Sequence, residues 1–235
     1  MEKIAFVSMF LCFCVSLAFA MGGPPPKKGP GGVGLAEKVF LIDDFESGNI
    51  RSPREWWTFD LETVEPVDSK ELKGGDDKVA SSVGEYSLLL SGLARSWYAG
   101  GLGTYLAKEN QDLSKYGNFQ ADIFGNGPGS GTLKVELVDD DSNNWTVEQD
   151  PERNYAVTKD DKFVYEIKVD WDGWKRVSIP ISDFVLENSG AGDGTWNPQM
   201  SAGSGGLLQL QFIALAVEET GKANFNVDNI SLTME

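Results

Sequence analysis

The side chains of this chain that could do chemistry are carboxylates and aromatic rings. The sequence has 36 Asp and Glu residues, no histidine, and only two cysteines, Cys12 and Cys14. The lack of histidine removes the commonest general base, the Ser-His-Asp triad and histidine-ligated zinc. Seven tryptophans and six tyrosines supply large flat rings. This inventory favours a binding site or an oxygen-ligated metal ion over nucleophilic catalysis.

Paired carboxylates could also hydrolyse glycosidic bonds. Such hydrolases hold two carboxylates roughly 5–9 Å apart across a cleft. The acids within residues 136–141 and 166–170 miss the Glu-x-Asp-x-x-Glu spacing of one pattern of this kind. The sequence also lacks a nucleophile elbow, a phosphate-binding loop and a dinucleotide fingerprint. We therefore expect a non-catalytic protein, with a hydrolase that uses Glu136 or Asp139 as the weakest alternative.

Short strand-like runs must position these side chains. Apolar and polar residues alternate over residues 133–137, 163–169, 208–214 and 225–232. Period-two alternation indicates strands with one buried face, as in antiparallel sheets that leave the other face in water. No convincing helix exceeds a turn or two. The sequence therefore predicts an all-β fold, an antiparallel β-sandwich of the jelly-roll type with about ten strands.

The chain begins with two segments of different character. An apolar run that ends in Ala18-Phe19-Ala20 predicts a secretory signal peptide over residues 1–20, cut near Ala20, with a retained anchor as the alternative. Residues 21–36 are rich in Pro and Gly and predict a flexible tether or a leftover of the leader. We expect one folded domain over residues 37–235, secreted or periplasmic, with no membrane span in the mature chain.

The overall charge limits the kinds of partner. The net charge is −16 at pH 7. A field of that sign repels nucleic acid and anionic lipid, so we expect no nucleic-acid partner. Most of these acidic side chains are expected to be solvated and to keep the protein soluble. Carboxylates that lie very close together need a cation to stay ionised.

Five segments, taken in order, resemble a known family. They are residues 42–48, 84–90, 99–103 followed by 112–116, 173–180 followed by 183–184, and 227–232. The ordered set resembles the family 11 carbohydrate-binding modules, within the galactose-binding-like jelly rolls, over about residues 38–235. The related complex I intermediate-associated protein 30 group shares the first and last of these segments. That group usually carries a Met-Gly-Gly-type segment after the first tryptophan strand, where this chain has residues 60–64.

The resemblance implies a function that the composition alone does not. It implies a β-sandwich with a structural calcium near the chain ends and a cleft on the concave sheet for β-glucan-type polysaccharide. With the predicted leader and the missing catalytic motifs, we expect a secreted, non-catalytic carbohydrate-binding protein. The alternative is a secreted scaffold or adhesin that uses the same sandwich to contact a protein or a cell surface. That alternative predicts a cleft without aromatic rings.

Three acids are candidates for the calcium site. Asp44 and Glu46 lie two residues apart, so on a strand their side chains would share a face. Asp228 lies in the last strand-like run, and in this architecture the first and last strands approach each other. Calcium takes six to eight oxygen ligands. Spacing alone favours acids that are solvated or cap turns, whereas the resemblance favours a calcium site. A one-residue shift in strand register would place Asp43 instead of Asp44 beside the ion.

Sugar rings stack their flat C–H faces on aromatic side chains, and their hydroxyls need planar polar partners. The predicted sugar contacts are therefore rings and polar groups in glycine-rich or charged loops: Trp97, Tyr98, Trp145, Tyr155 and Trp196, with Arg95, Asp139 and Gln211 as polar partners. A ring half-buried under a loop is the commoner alternative at each position. Of Trp56 and Trp57, one must point inward and one outward, and Trp174 is expected in the core.

Overall fold

The structure is a computed structural model that describes residues 38–106, 112–199 and 205–234. The predicted signal peptide at 1–20 and the predicted tether at 21–36 lie outside these residues. Within the described ranges, none of the helices has both the length and the apolar character needed to cross a bilayer.

Strands dominate the described residues. They are β1 (Val39–Asp43), β2 (Trp57–Phe59), β3 (Thr63–Asp68), β4 (Tyr86–Leu93), β5 (Tyr98–Tyr105), β6 (Asn118–Asn126), β7 (Gly131–Asp139), β8 (Gln149–Asp150), β9 (Ala156–Val157), β10 (Asp161–Val169), β11 (Asp172–Pro180), β12 (Val185–Leu186), β13 (Leu207–Leu215) and β14 (Lys222–Thr233). The helical segments are α1 (Asp77–Ala80) and three 3₁₀ turns at Ser69–Glu71, Pro151–Arg153 and Ile181–Asp183. The predicted all-β class is confirmed.

Two antiparallel sheets of six strands pack face to face. The first sheet has the order β11-β6-β14-β4-β3, with β1 also paired to β14, and the second has the order β12-β10-β7-β13-β5-β2. A small hairpin of β8 and β9 lies between β7 and β10 in the chain. The β-sandwich is therefore confirmed, with more strands than the sequence pattern indicates because β2, β8, β9 and β12 have three residues or fewer.

Aromatic rings join the two sheets across the core. Phe119 of the first sheet meets Phe212 of the second edge to face, with ring centroids 6.2 Å apart. Trp56 stacks on Phe212 at 5.9 Å and is buried, whereas its neighbour Trp57 is half-buried. Trp174 is buried too, in a separate small cluster with Phe124 and Val79. The inward position of Trp56 agrees with the sequence prediction; Trp174 is buried as predicted, but outside the main core between the sheets.

The last strand departs from the predicted alternation. Its register with β6 shifts between Asp228 and Ser231, and Asn229 has a positive φ of 47°. One extra residue in a strand is a β-bulge, and Asn tolerates the left-handed conformation better than most residues. The bulge reverses the faces, so that Ile230 and Leu232 are buried after it. The prediction of uninterrupted alternation through this strand was wrong.

The first strand ends before two of the predicted calcium ligands. β1 pairs with β14 as expected, with Phe40 opposite Leu232. The strand ends at Asp43, and Phe45 has a positive φ of 55°. Asp44 and Glu46 therefore lie in a turn, and the argument that they share a strand face was wrong.

Candidate functional site

Two aromatic rings lie on the outer face of the second sheet, above glycines. Trp57 is paired with Gly103 and Phe59 with Gly101 across the β2–β5 ladder. A Cβ on Gly103 would come 2.4 Å from Trp57 Cζ2, and one on Gly101 would come 2.6 Å from Phe59 Cζ. Because real Cβ atoms do not approach other atoms so closely, only glycine lets both rings lie against the strand.

Polar side chains continue this face across the sheet. Gly103 is opposite Gln211 in the β5–β13 ladder, and Gln211 is opposite Glu136 in the β13–β7 ladder. Gln211 donates from Nε2 to Glu136 Oε2 at 3.2 Å. Gln209 belongs to the same floor, and both Gln209 and Glu136 are buried. An aromatic edge therefore adjoins a floor of amide and carboxylate groups.

Two lysines balance the carboxylates of the floor. Lys134 Nζ lies 3.0 Å from Glu136 and 2.5 Å from Glu187, and Lys162 Nζ lies 2.5 Å from Glu187. Burial opposes the charge on Lys134, but Glu187 and Glu136 together raise the pKa of its ammonium group. Burial alone would raise the pKa of Glu187, but Lys134 and Lys162 outweigh it and lower that pKa. The network is thus two cations and two anions, with no net charge.

The β8–β9 hairpin and Tyr98 complete a groove of about 730 Å³ over this floor. Tyr155, at the hairpin turn, is 63% exposed. Tyr98 donates from its hydroxyl to Asp60 Oδ2 at 2.9 Å. Burial and the Asp60 carboxylate raise the pKa of Tyr98, so its hydroxyl keeps its proton. A ring, a hydroxyl and planar polar groups therefore face one open space.

A second cavity lies on the other side of Trp57. It has a volume of about 710 Å³, and Arg54 and Tyr105 line it together with Trp57. The ring centroids of Trp57 and Tyr105 are 4.8 Å apart. Arg54 donates to the carbonyl oxygens of Ile42 and Tyr105, which fixes the cavity wall. Trp57 is therefore shared between the two open spaces.

The predicted sugar-contact residues divide into two groups. Tyr98, Tyr155 and Gln211 line the groove. Arg95 and Trp97 lie in the turn between β4 and β5, where Arg95 N–H donates to the carbonyl of Tyr98. Neither of these two lines the groove.

The other three predicted contacts also lie elsewhere. Trp145 is 42% exposed in the loop after β7, and its N–H donates to Asp140 at 2.6 Å. Trp196 is half-buried and meets Phe163 edge to face, with ring centroids 5.4 Å apart. Asp139 is fully buried and points inward, so the open face cannot present it to a sugar.

Asp139 belongs instead to an acidic cluster at the ends of β7 and β10. One carboxylate oxygen each from Asp139, Asp141 and Asp161 lie within 4.8 Å of one another. Burial and the charges of Asp141 and Asp161 raise the pKa of Asp139 to about 8. Burial and Asp161 raise the pKa of Asp141 to about 6. Three ionised carboxylates at this distance repel one another strongly.

Of the predicted calcium ligands, Asp228 lies at the bulge of β14, and Asp44 and Glu46 lie in the turn after β1; the oxygens of these three residues do not all come within 4.8 Å of one another. Glu46 accepts from the N–H groups of Glu85 and Tyr86 at 3.0 and 2.9 Å. Asp228 Oδ1 accepts from Asn229 N–H at 2.7 Å, whereas its Oδ2 is buried and meets no donor. Burial, with the charges of Asp122, Glu46 and Asp44, raises the pKa of Asp228 to about 8. A buried free oxygen in so negative a field fits a cation.

The sequence reasoning did not predict four groove-lining residues as sugar contacts. These are Trp57, Phe59, Glu136 and Gln209. A signal for them was present, because Trp57 and Phe59 are spaced by two, as are Gly101 and Gly103. Two rings on one face of a strand need a neighbour without side chains if they are to lie flat.

A β-sandwich whose one sheet carries a ring-edged polar groove defines a carbohydrate-binding module. The chain belongs to the family described as carbohydrate binding domain 30, whose sequence model matches residues 46–234. Carbohydrate-binding modules bind polysaccharide and do not themselves catalyse a reaction. No curated protein matched the chain in a sequence search.

Solved structures of family 11 modules share the fold. The module from Clostridium thermocellum in complex with a beta-1,3-1,4-mixed-linked tetrasaccharide superposes with a TM-score of 0.53 at 21% identity, over 83% of this chain and 95% of that chain. The module of the cellulosomal cellulase Lic26A-Cel5E of the same organism gives 0.50 at 19% identity, over 84% of this chain and 95% of that chain. The resemblance to family 11 is thereby confirmed for the fold.

Proposed function

We propose that this protein binds a β-glucan-type polysaccharide in the groove of the second sheet. The observation that carries the proposal is the pair of rings, Trp57 and Phe59, seated over glycines beside the Gln211–Glu136 pair. Stacking would hold the pyranose faces, and the amide and carboxylate oxygens would accept hydrogen bonds from sugar hydroxyls. Tyr98 would add a hydroxyl oxygen that accepts from a sugar hydroxyl while it donates to Asp60, and Tyr155 would add a further ring.

The choice of glycan rests on two supports. The family 11 module with the same fold is in complex with a mixed-linked β-glucan tetrasaccharide. The Lys134, Lys162, Glu136 and Glu187 network has no net charge, which suits an uncharged glycan more than an acidic one. A long neutral chain offers many equivalent faces for stacking, so modest affinity per site suffices.

We also propose a structural calcium held by Asp44, Glu46 and Asp228. The free buried Oδ2 of Asp228 supports this assignment. A cation there would neutralise the carboxylates and tie the turn after β1 to the bulge of β14. Export through the leader at residues 1–20 remains part of the proposal, since an extracellular or periplasmic site is where polysaccharide is met.

Affinity gel electrophoresis tests the proposal. Native gels that contain mixed-linkage β-glucan, hydroxyethylcellulose or xylan are compared with gels that contain no glycan. The wild-type protein is expected to be retarded by a β-glucan. Trp57→Ala should weaken binding by about tenfold or more, because an aromatic contact contributes ~1.5 kcal/mol.

The matched control is Trp97→Ala. Trp97 is 51% exposed and lies outside the groove, so its loss should leave the retardation unchanged. Equal mobility of wild type and Trp57→Ala in every glycan gel would refute the groove assignment. If no glycan retards the wild-type protein, the protein-contacting alternative takes its place.

A further inference from the structure

We propose that Asp139, Asp141 and Asp161 form a second cation site, separate from the groove and from the Asp228 site, that binds a divalent ion of the calcium class. The site lies at the end of the sandwich, where β7 ends at Asp139 and β10 begins at Asp161. These two residues are direct partners in the β7–β10 ladder. Two of its ligands would therefore come from paired strand ends, and the third, Asp141, from the loop that follows β7.

The distances between the carboxylates suit one shared ion. Calcium–oxygen distances are about 2.3–2.6 Å, so two oxygens on one calcium are at most about 4.6–5.2 Å apart. One oxygen each from Asp139, Asp141 and Asp161 lie within 4.8 Å of one another. The three oxygens can therefore reach a common centre without any movement of the strands.

The hydrogen bonds around these acids leave the same oxygen free on each. Asp139 Oδ2 accepts from Asn197 N–H at 2.9 Å, and Asp141 Oδ2 accepts from Asp161 N–H at 2.9 Å. Asp161 Oδ2 accepts from the N–H groups of Gly194 and Thr195 at 2.5 and 3.1 Å. The Oδ1 atoms of all three are buried and meet no donor.

Two of these acids are completely shielded from water. Asp139 and Asp161 are both 0% exposed. Among the described residues, no lysine or arginine forms an ion pair with any of the three. Buried charges in proteins are paired or coordinate metals. The free Oδ1 atoms therefore point to an ion that replaces the missing cationic side chain.

The loop that covers the site supplies its remaining walls. Asn197 presents a buried Oδ1 that also meets no donor. A Cβ on Gly192 would come 1.9 Å from Asp141 Oδ2 and 2.6 Å from Asp161 Oδ1. The loop thus approaches the carboxylates with bare backbone. An ion here would fasten residues 192–197 to the ends of β7 and β10.

Counting bound calcium tests this site. Purified protein is stripped with EDTA, dialysed against calcium, and its calcium content per chain is measured. Asp161→Asn is expected to lose one bound ion per chain. This loss should not depend on whether Asp228→Asn, at the other proposed site, also loses an ion. The asparagine oxygen can still accept from Gly194 and Thr195, so the loop keeps its anchors. Asp172→Asn, an exposed acid, serves as the control and should lose none.

Thermal unfolding separates metal binding from a merely structural role. Calcium at a hundredfold excess over its Kd should raise the wild-type Tm by about 5–10 °C. Asp161→Asn should show a smaller rise. In EDTA, its Tm should equal or exceed that of wild type, because one buried negative charge is gone. A structural role without metal predicts instead that Asp161→Asn lowers Tm equally with and without calcium.

A steric variant and a luminescent probe complete the test. Gly192→Ala should also lose one ion, whereas Gly129→Ala, whose Cβ would meet nothing within 4 Å, should not. Terbium added in place of calcium should emit on excitation of Trp196, since its neighbours Thr195 and Asn197 contact the site. Unchanged calcium content in both Asp161→Asn and Gly192→Ala would overturn the proposal. Loss of glucan binding alone would not affect it.

Discussion

The position of the Trp57 ring depends on a residue that has no side chain. Gly103 faces the indole, and any Cβ there would stand 2.4 Å from Cζ2. Since the strand is held by ladders to β2 and β13 on both sides, the backbone cannot retreat, and the ring must lift away. The face proposed to bind sugar is thus set as much by the glycine as by the tryptophan.

Gly103→Ala is therefore expected to weaken β-glucan binding by about tenfold, roughly the contribution of one well-placed ring. The measurement is the same gel series together with tryptophan fluorescence, which should shift as the Trp57 ring becomes more exposed. Gly129→Ala is the matched control, because a Cβ at Gly129 would meet no atom within 4 Å. Unaltered affinity in Gly103→Ala would mean that the ring does not contact the sugar.

The candidate rings show where sequence reasoning succeeds and where it stops at this scale. Tyr98, Tyr155 and Gln211 were predicted and do line the groove, although binding by them is untested. Trp97 and Trp145 looked equally suitable, because glycine-rich and polar loops surround both. Loop composition predicts exposure, and both are exposed, but the direction a loop side chain faces depends on backbone angles that composition does not set. Both have positive φ, at 67° and 63°.

At the level of elements, the buried carboxylate of Asp122 joins three strands. Arg176 of β11 donates from Nε and a terminal nitrogen to both oxygens of Asp122 on β6, each at 2.7 Å. Asn229, at the bulge of β14, donates to the same carboxylate at 2.9 Å. Asp122 is fully buried, so its charge depends on these donors.

Arg176→Met should lower the free energy of unfolding by about 2–3 kcal/mol, because it leaves Asp122 buried with fewer donors and beside Asp228. Urea unfolding followed by fluorescence measures this loss. Lys168→Met removes the same charge from an exposed pair with Asp170 and should change stability by less than about 0.5 kcal/mol. Equal losses in the two variants would contradict the account of Asp122.

The strands themselves were predictable to different degrees. The β7, β10 and β13 runs alternate cleanly and formed as predicted, since one face of each meets the core. The bulge in β14 had a signal in the sequence that the prediction overlooked, because Asp228 and Asn229 are consecutive polar residues and Ile230 resumes the alternation one position out of phase. The acidic cluster had a visible signal in Asp139 and Asp141, but its third member comes from another strand. Only the register of β7 with β10 brings Asp161 beside them.

At the scale of the whole molecule, charge and function are separated in space. The chain carries a net charge of −16, whereas the groove floor pairs Lys134 and Lys162 with Glu136 and Glu187. The acidic clusters lie outside the groove, at the end of the sandwich and near the bulge. In the proposed binding mode, an uncharged glycan would meet a surface whose local charges cancel, while the long-range field repels anionic polymers.

This separation predicts that binding to β-glucan is insensitive to salt. A neutral glycan releases no counterions, and the paired groups of the floor are screened by each other. The Kd should therefore change by less than about twofold between about 50 and about 500 mM NaCl, measured by calorimetry. An acidic polysaccharide should bind poorly at low salt, because the field of the protein opposes it. A steep loss of glucan affinity with salt would instead assign the binding energy to Lys134 and Lys162, and would count against stacking as its main source.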